Sequence, residues 1–399
     1  MKLRILFPVD MSTTYPRNPY LSQLMQALLD DPGVGLVAHG PIHLLHGTCD
    51  WDVVHIQWPE ALLGWKDERR VGVEEIDAAL DRLARRALIV HTVHNNDAKQ
   101  DLGEVGIRLF ASVFRHTDVF LHLGKRSREW FCREHAKAPW ATRARHVVIP
   151  HGNYDFYKDF KEPEKGIPVS SKRKRLLVFG ELRTVEEEAL AREAFVLADV
   201  PRSQLVFAGP LSRSGFPASV RAGLEKADTV VRLHKRIQDR SVAPLFESCR
   251  AVFIPRAGRL NSGVVPLAFT FGLPVVAPDE GVIGEMSGRF GGMVYTPGDR
   301  VSAAAAIRKA LSISPQRRAR LRRRILDYSA RVLAWPRIAA QHRKLYLKNI
   351  RSTRRLPLLK RLTAWLLSWR TGERRQKEEK PHKWRTHPKP SRRGSTEKP

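Results

Sequence analysis

The stretch from Asn261 to Glu285 combines a polar Asn261-Ser262-Gly263 step, an apolar helix-like run, Gly272-Leu273-Pro274, a strand-like run and an acidic segment around Asp279-Glu280. The first turn of a helix leaves backbone N–H groups unpaired with the positive dipole end outward, which suits an anion, and Gly263 lets a ligand come close to the backbone. The same step equally fits a plain N-capped core helix, since Ser262 is a favourable cap. Elsewhere Asp10, Glu60 and His94 fall at or just past strand-like runs, where a carboxylate or imidazole can act as a general base. His55, inside a strand, reads as a satisfied core histidine, and His151-Gly152 as either a hinge or a ligand contact. Asp30-Asp31 and Asp279-Glu280 look like turn residues, and no DxD between apolar strands is present to hold Mg²⁺.

The elements that must position these groups alternate. Leu3–Val9, Val53–Ile56, Leu88–Val93 and Val119–Leu123 are strand-like, and Asn18–Leu29, Glu74–Arg86 and Gly106–Arg115 carry apolar residues at helical spacing. Such alternation predicts a parallel sheet covered by helices on both faces. After an aperiodic connection the pattern resumes, with strands over Arg175–Phe179, Gln204–Ala208, Val230–Leu233, Ala251–Ile254 and Pro274–Ala277, and helices over Val185–Ala198, Phe216–Lys226 and Val301–Ser312. The expectation is an α/β protein with two Rossmann-like domains, 1–160 and 173–315, and a ligand cleft at the carboxyl ends of the strands. Residues 316–348 are expected as basic helices packing back, and 349–399 as a basic amphipathic helix with a disordered tail.

Several segments together resemble bacterial GT-B fold nucleotide-sugar glycosyltransferases of the exopolysaccharide and lipid-linked-saccharide type. The resemblance rests on Ser262-Gly263 with Leu267-Ala268, Phe271 to Pro278, Gly281 and Glu285. It rests also on Asn18-Pro19-Tyr20, on Asp52 to Glu60, on His91 to Asn95, on Ile149-Pro150-His151-Gly152 and on Val178 to Arg183. These cover roughly residues 1 to 348 in the family's order. The resemblance implies transfer of a sugar from a UDP- or GDP-sugar to a saccharide acceptor, polyprenyl-linked in surface polysaccharide assembly, with no cofactor and no metal. It places Asn261, Ser262, Gly263 and Glu285 at the donor, Asn18 and Tyr20 in the acceptor loop, and His94 at the donor sugar as an alternative to a base. A departing diphosphate needs fixed positive groups, and the planar fork of Arg183 suits it, unless Arg183 is an ordinary surface arginine.

Two departures stand out. Where retaining members carry two glutamates eight positions apart, this chain has Arg259 and Leu267, and Glu186 replaces a lysine. They leave the ribose contact to Glu285 and keep a catalytically silent scaffold open as a second reading.

Composition narrows the rest. Hydrophobic residues make up 42%, and no run is long enough to span a membrane; the N-terminus enters a strand-like run without a cleavage site, which gives a cytoplasmic expectation. Cys49, Cys132 and Cys249 lack disulfide or zinc spacing. The net charge of +29 is concentrated in part beyond Arg351, and apolar Leu358, Leu359, Leu362, Trp365, Leu366 and Trp369 fall on one helical face. Residues 356–370 with the basic tail therefore fit an anionic membrane surface, at the inner face of the plasma membrane. The charge also suits nucleic acid, but no helix-turn-helix, RRM, KH or zinc motif accompanies it, so no specific nucleic-acid partner is expected.

Overall fold

The computed structural model describes residues 2–11, 19–47, 49–64, 71–94, 102–160, 173–212, 230–233 and 236–350. The helix expected over 216–226, the amphipathic helix over 356–370 and the disordered tail lie outside the described residues, as does Asn18.

The first half runs β1 (Leu3–Phe7), α1 (Tyr20–Leu29), β2 (Val34–His39), α2 (Pro41–His46), β3 (Val53–Ile56), α3 (Val73–Ala84), β4 (Leu88–Val93), α4 (Gly103–His116), β5 (Val119–His122), α5 (Lys125–Glu134), α6 (Pro139–Arg143) and β6 (Arg145–Val148). Its six strands are all parallel in the order β2-β1-β3-β4-β5-β6. Every residue of β3, β4 and β5 is buried, as expected where helices cover both faces of a sheet.

The second half runs β7 (Lys174–Phe179), α7 (Val185–Ala198), β8 (Ser203–Ala208), β9 (Val230–Leu233), α8 (Asp239–Glu247), β10 (Ala251–Phe253), α9 (Val264–Thr270), β11 (Val275–Pro278), α10 (Gly281–Gly288), β12 (Val294–Tyr295), α11 (Arg300–Leu311), α12 (Pro315–Val332) and α13 (Trp335–Asn349). Here too the six strands are parallel, in the order β12-β11-β10-β7-β8-β9. The chain starts in the middle at β7, builds outward to β9, and returns to β10 on the other side. That reversal between β7 and β10 opens a crevice at the strands' carboxyl ends, where ligands bind in open α/β sheets.

The short helices α2 and α6 were not legible in the periodicity, nor were α5 and α10. α5 is mostly charged and buries little beyond Ser127 and Phe131. α10 holds three glycines where the sequence suggests an acidic loop, and it forms because Val282, Ile283 and Met286 are buried against neighbouring elements. The basic run from Pro315 forms two helices, broken at Leu333-Ala334 before the Pro at the second position of α13. α12 packs on α9, while α13 packs on α1. Trp335, Ile338, Ala339, Leu345 and Tyr346 of α13 thereby join the core formed by Leu3, Ile5, Tyr20 and Leu24. The last described helix is thus built into the first domain.

Candidate active site

The crevice between β7 and β10 is lined by arginine. Arg183 lies four residues past β7, and Arg256 and Arg259 lie on the loop after β10. Arg256 is fixed: its Nε and Nη2 donate to both oxygens of Glu187 at 2.5 and 2.9 Å, and Nη2 also donates to the Glu181 carbonyl at 2.6 Å. Glu187 is itself set by the start of α7, where Thr184 caps the helix by accepting from the Glu187 N–H at 3.3 Å. The Glu187 carboxylate turns back to accept from Arg183 N at 2.9 Å, a variant of the capping box. Glu187 is held below the usual carboxylate range, the Arg256 hydrogen bond and the neighbouring charges outweighing burial. The Arg183 guanidinium is pushed down by burial and by repulsion from Arg256 and Arg259; Glu181, at 4.0 Å, is its nearest carboxylate. Three guanidiniums therefore lie close enough to repel one another, with Glu187 bonded to the guanidinium of Arg256 but only to the backbone N–H of Arg183, leaving positive charge to face an anion. Arg256 escaped the sequence reading, although it mirrors Arg183 across the strand-order reversal. Glu186, the departure noted in the sequence, is fully exposed at the helix start.

The first sheet offers a different chemistry at its carboxyl edge, where β1, β3 and β4 are neighbours. Asp10, past β1, is exposed. His94, just past β4, is half-buried, stacked on Trp58 at 4.6 Å between ring centroids and edge-on to Tyr20 at 5.4 Å. Its Nε2 lies 2.8 Å from Gln57 Oε1. Burial, with His151 and His91 nearby, holds its pKa well below the usual imidazole range, so the ring is neutral. Glu60 is sealed inside the 3₁₀ turn Pro59–Leu63, at 0% exposure. The sequence places it past the strand end but cannot show that the turn folds inward over Ala61, Leu62 and Leu63, all buried.

Between the sheets, the remaining sequence candidates mostly join the two domains. Asn261 Nδ2 donates to the carbonyls of Val93 and His94 at 3.2 and 3.1 Å, so the second domain fixes the peptide that carries His94. Its buried Oδ1 accepts no hydrogen bond among the described residues. Glu285 Oε2 accepts from Arg126 N at 3.0 Å, and Arg126 Nη1 donates to Asp279 at 2.5 Å, which ties the start of α5 to α10. Ser262 Oγ accepts from Val264 N at 3.2 Å, a local turn contact just before a short helix whose N-cap is Gly263. Gly263 has an ordinary helical φ of −66°; its missing side chain makes room for Tyr154, whose hydroxyl would lie 2.6 Å from a Cβ there. Tyr154 in turn lies 3.4 Å from His151 Nε2, and the His151 ring packs on Tyr20 at 4.4 Å. Tyr20 thus belongs to a buried column running from α1 through the crossover to the start of α9. Leu267 is buried in α9, and Arg259 N donates to Glu280 Oε1 at 3.3 Å. A groove of about 350 Å³ lies at the other end of α1, lined by Gln23, Gln26, Asp30, Asp31 and Trp335 among others, and takes no part in this arrangement. Among the described residues no group of three His, Cys, Asp or Glu side chains is placed to hold a metal ion.

Comparison with known proteins bears directly on this geometry. No family model matches the sequence. A GDP-mannose:glycolipid 4-beta-D-mannosyltransferase of Xanthomonas campestris pv. campestris is 26% identical over 339 residues, 84% of this chain and 89% of the relative. A second protein of the same description and organism is 24% identical over 337 residues, 84% of this chain and 89% of its own. Among solved structures, the sucrose-phosphate synthase of Thermosynechococcus elongatus superposes with a TM-score of 0.60 at 14% identity, covering 87% of this chain and 99% of its own. The E. coli trehalose-6-phosphate protein bound with UDP-2-fluoro glucose superposes with a TM-score of 0.58 at 12% identity, covering 86% and 99%. The chain has the two-sheet fold of these sugar transferases and is similar in sequence to the two glycolipid mannosyltransferases. The two facing sheets and the family motifs of the sequence fall together in this fold, with the arginine cluster on the second domain and His94 and Asp10 on the first.

Proposed function

We propose that the protein transfers mannose from GDP-mannose to a lipid-linked saccharide at an anionic membrane surface, with inversion and without a metal or other cofactor. The observation that carries this reading is the convergence of Arg183, Arg256 and Arg259 at the reversal point of the second sheet. The bond from the sugar C1 to the diphosphate oxygen breaks, and the guanidiniums receive the negative charge that develops on the leaving diphosphate. The acceptor oxygen forms the new bond to C1 and gives up its proton to a base. Asp10 suits that step better than His94, because accepting a proton neutralises an exposed carboxylate, whereas it would create a cation in the desolvated setting of His94. His94, neutral and fixed from both domains, is assigned to a hydroxyl of the sugar. The donor and acceptor classes follow the descriptions of the two Xanthomonas relatives. The absence of the paired glutamates of retaining members, with Arg259 and Leu267 in their places, supports inversion.

The membrane surface is supported by charge. Arg317, Arg320, Arg323, Arg324 and Arg331 are all exposed on α12, and the chain from Arg351 onward adds 16 Lys and Arg against 4 Glu. Each basic residue near an anionic leaflet contributes about 1 kcal/mol. No described helix is long and apolar enough to cross a membrane, so contact with a bilayer through these helices is peripheral.

One assay tests the reading. Radiolabelled GDP-mannose and UDP-glucose are offered, in EDTA, with a polyprenyl-diphosphate saccharide in anionic or neutral vesicles. Label is expected to pass from GDP-mannose to the lipid, faster on anionic vesicles. Nucleotide binding with no transfer and no donor hydrolysis would instead support the silent scaffold, and transfer that stops in EDTA would remove the metal-independent step.

A further inference from the structure

The hydrogen-bond chain that ends at His94 begins on α13. The hydroxyl of Tyr346, a fully buried residue, lies 2.8 Å from His55 Nδ1. His55 Nε2 lies 3.1 Å from Gln57 Nε2 and 2.8 Å from Thr92 Oγ1, and Gln57 Oε1 lies 2.8 Å from His94 Nε2. His55 and Thr92 are 0% exposed and Gln57 2%, so bulk water does not rearrange the chain. An amide has one donor end and one acceptor end, and a neutral imidazole has one N–H and one lone pair. Gln57 Nε2 donates to His55 Nε2, which places the His55 proton on Nδ1, where the Tyr346 oxygen accepts it. The other end of the same amide accepts from His94 Nε2–H and leaves the His94 Nδ1 lone pair without a hydrogen-bond donor among the described residues. Thr92 is a hydroxyl and turns to suit either arrangement.

We propose that Tyr346 is a positioning residue that sets the tautomer of His94 through His55 and Gln57, so that the last described helix decides which imidazole nitrogen faces the substrate. That this tautomer matters for transfer rests on the assignment of His94 to the donor sugar. Removing the Tyr346 oxygen leaves the His55 Nδ1–H buried without an acceptor, and a bare buried donor is less tolerated than a bare lone pair. His55 then carries its proton on Nε2, the Gln57 amide turns its oxygen toward it, and the amide N–H₂ faces His94. His94 can only answer by moving its proton to Nδ1. One atom removed from α13 inverts a tautomer just past the end of β4.

Long-range ¹⁵N–¹H spectra of ¹⁵N-histidine-labelled full chain, with His94 assigned by its loss in His94→Asn, read the tautomer without any turnover. Wild type is expected with His94 protonated on Nε2, and Tyr346→Phe with His94 protonated on Nδ1. Gln57→Glu presents oxygen to both rings, so in the Tyr346→Phe background it should restore the Nε2–H form of His94. Alone, it should move the proton of His55 to Nε2 while His94 stays as in wild type, a reading available even if Tyr346→Phe does not fold. An unchanged His94 in Tyr346→Phe, a wild-type His94 protonated on Nδ1, or failure of Gln57→Glu to shift His55 overturns the relay. The transfer rate is a separate reading: Tyr346→Phe should lower kcat/KM about tenfold or more, the effect of one misdirected hydrogen bond. An inverted tautomer with an unchanged rate supports the relay and removes His94 from the sugar.

Discussion

Lowering the pH from 7 to 5 is expected to remove roughly 7 kcal/mol of folding stability through four histidines. Burial depresses His91, His151 and His342 to about 4, and burial with the His146 ring beside it depresses His122 to about 3. In the unfolded chain each imidazole titrates near 6.5. As the pH falls through 6.5 the unfolded state binds protons that the folded state refuses, so stability is full above 6.5 and drains away until the folded values are reached. At pH 5 that amounts to roughly 2 kcal/mol per histidine, and the total approaches the whole stability of an ordinary protein, about 5–15 kcal/mol. The depressed carboxylates Asp77 and Glu187 act in a different window, because their contributions are present above the ordinary carboxylate pKa and are lost as pH falls below it. Urea unfolding at pH 7, 6 and 5 checks the expectation. A midpoint that does not move over that range would mean the histidines are protonated in the folded protein, and His91→Gln should remove about one proton from the slope.

Gly209→Ala should cost about 3 kcal/mol and abolish nucleotide binding from a position that offers no side chain to a ligand. Gly209 follows β8 with φ +151°, and a Cβ there would lie 2.1 Å from the Gly180 carbonyl oxygen and 2.5 Å from its carbon. These are backbone atoms, so no side chain can turn aside. Gly180 opens the loop that carries Arg183, and that loop is laid against the next strand end: Gly180 N donates to Ala208 O at 2.9 Å, Leu182 N to Pro210 O at 3.1 Å, and Ser212 N to Leu182 O at 2.8 Å. An added methyl must push the Gly180 peptide away and take Arg183 with it. Gly258→Ala makes the control: its φ is +72° but a Cβ there meets nothing within 4 Å. It should carry only the backbone strain, about 1–2 kcal/mol, and keep nucleotide binding. Equal losses in the two variants would show that the close approach of Gly209 does not set the loop.

What the sequence shows and hides follows from which interactions are local. Strands such as Leu88–Val93 are visible because parallel sheets bury both faces, giving continuous apolar runs. Arg183 is visible because it follows such a run. Arg256 is hidden because its importance lies in Glu187, 69 residues away in the chain. Asn261 sits in a family motif, yet its amide joins residues 168 and 167 positions earlier. Gly263 illustrates the same limit: the motif calls for glycine, but only the fold shows Tyr154 in the space a side chain would occupy. α13 carries the longest such connection, with Tyr346 reaching His55 across 291 residues.

The central claim is that guanidiniums at the reversal point of the second sheet receive a nucleoside diphosphate, and its most direct test is GDP binding by wild type and Arg183→Ala. Calorimetric titration in EDTA, with UDP as comparison, gives the dissociation constants, and thermal unfolding at about 100 times Kd should show roughly 2.7 kcal/mol of stabilisation in wild type. Losing a charge-assisted contact worth about 1.5–3 kcal/mol should weaken GDP about 10- to 100-fold in Arg183→Ala. The variant's own stability should not fall, since Arg183 stands against the like charges of Arg256 and Arg259. GDP bound equally well by both proteins would contradict the account.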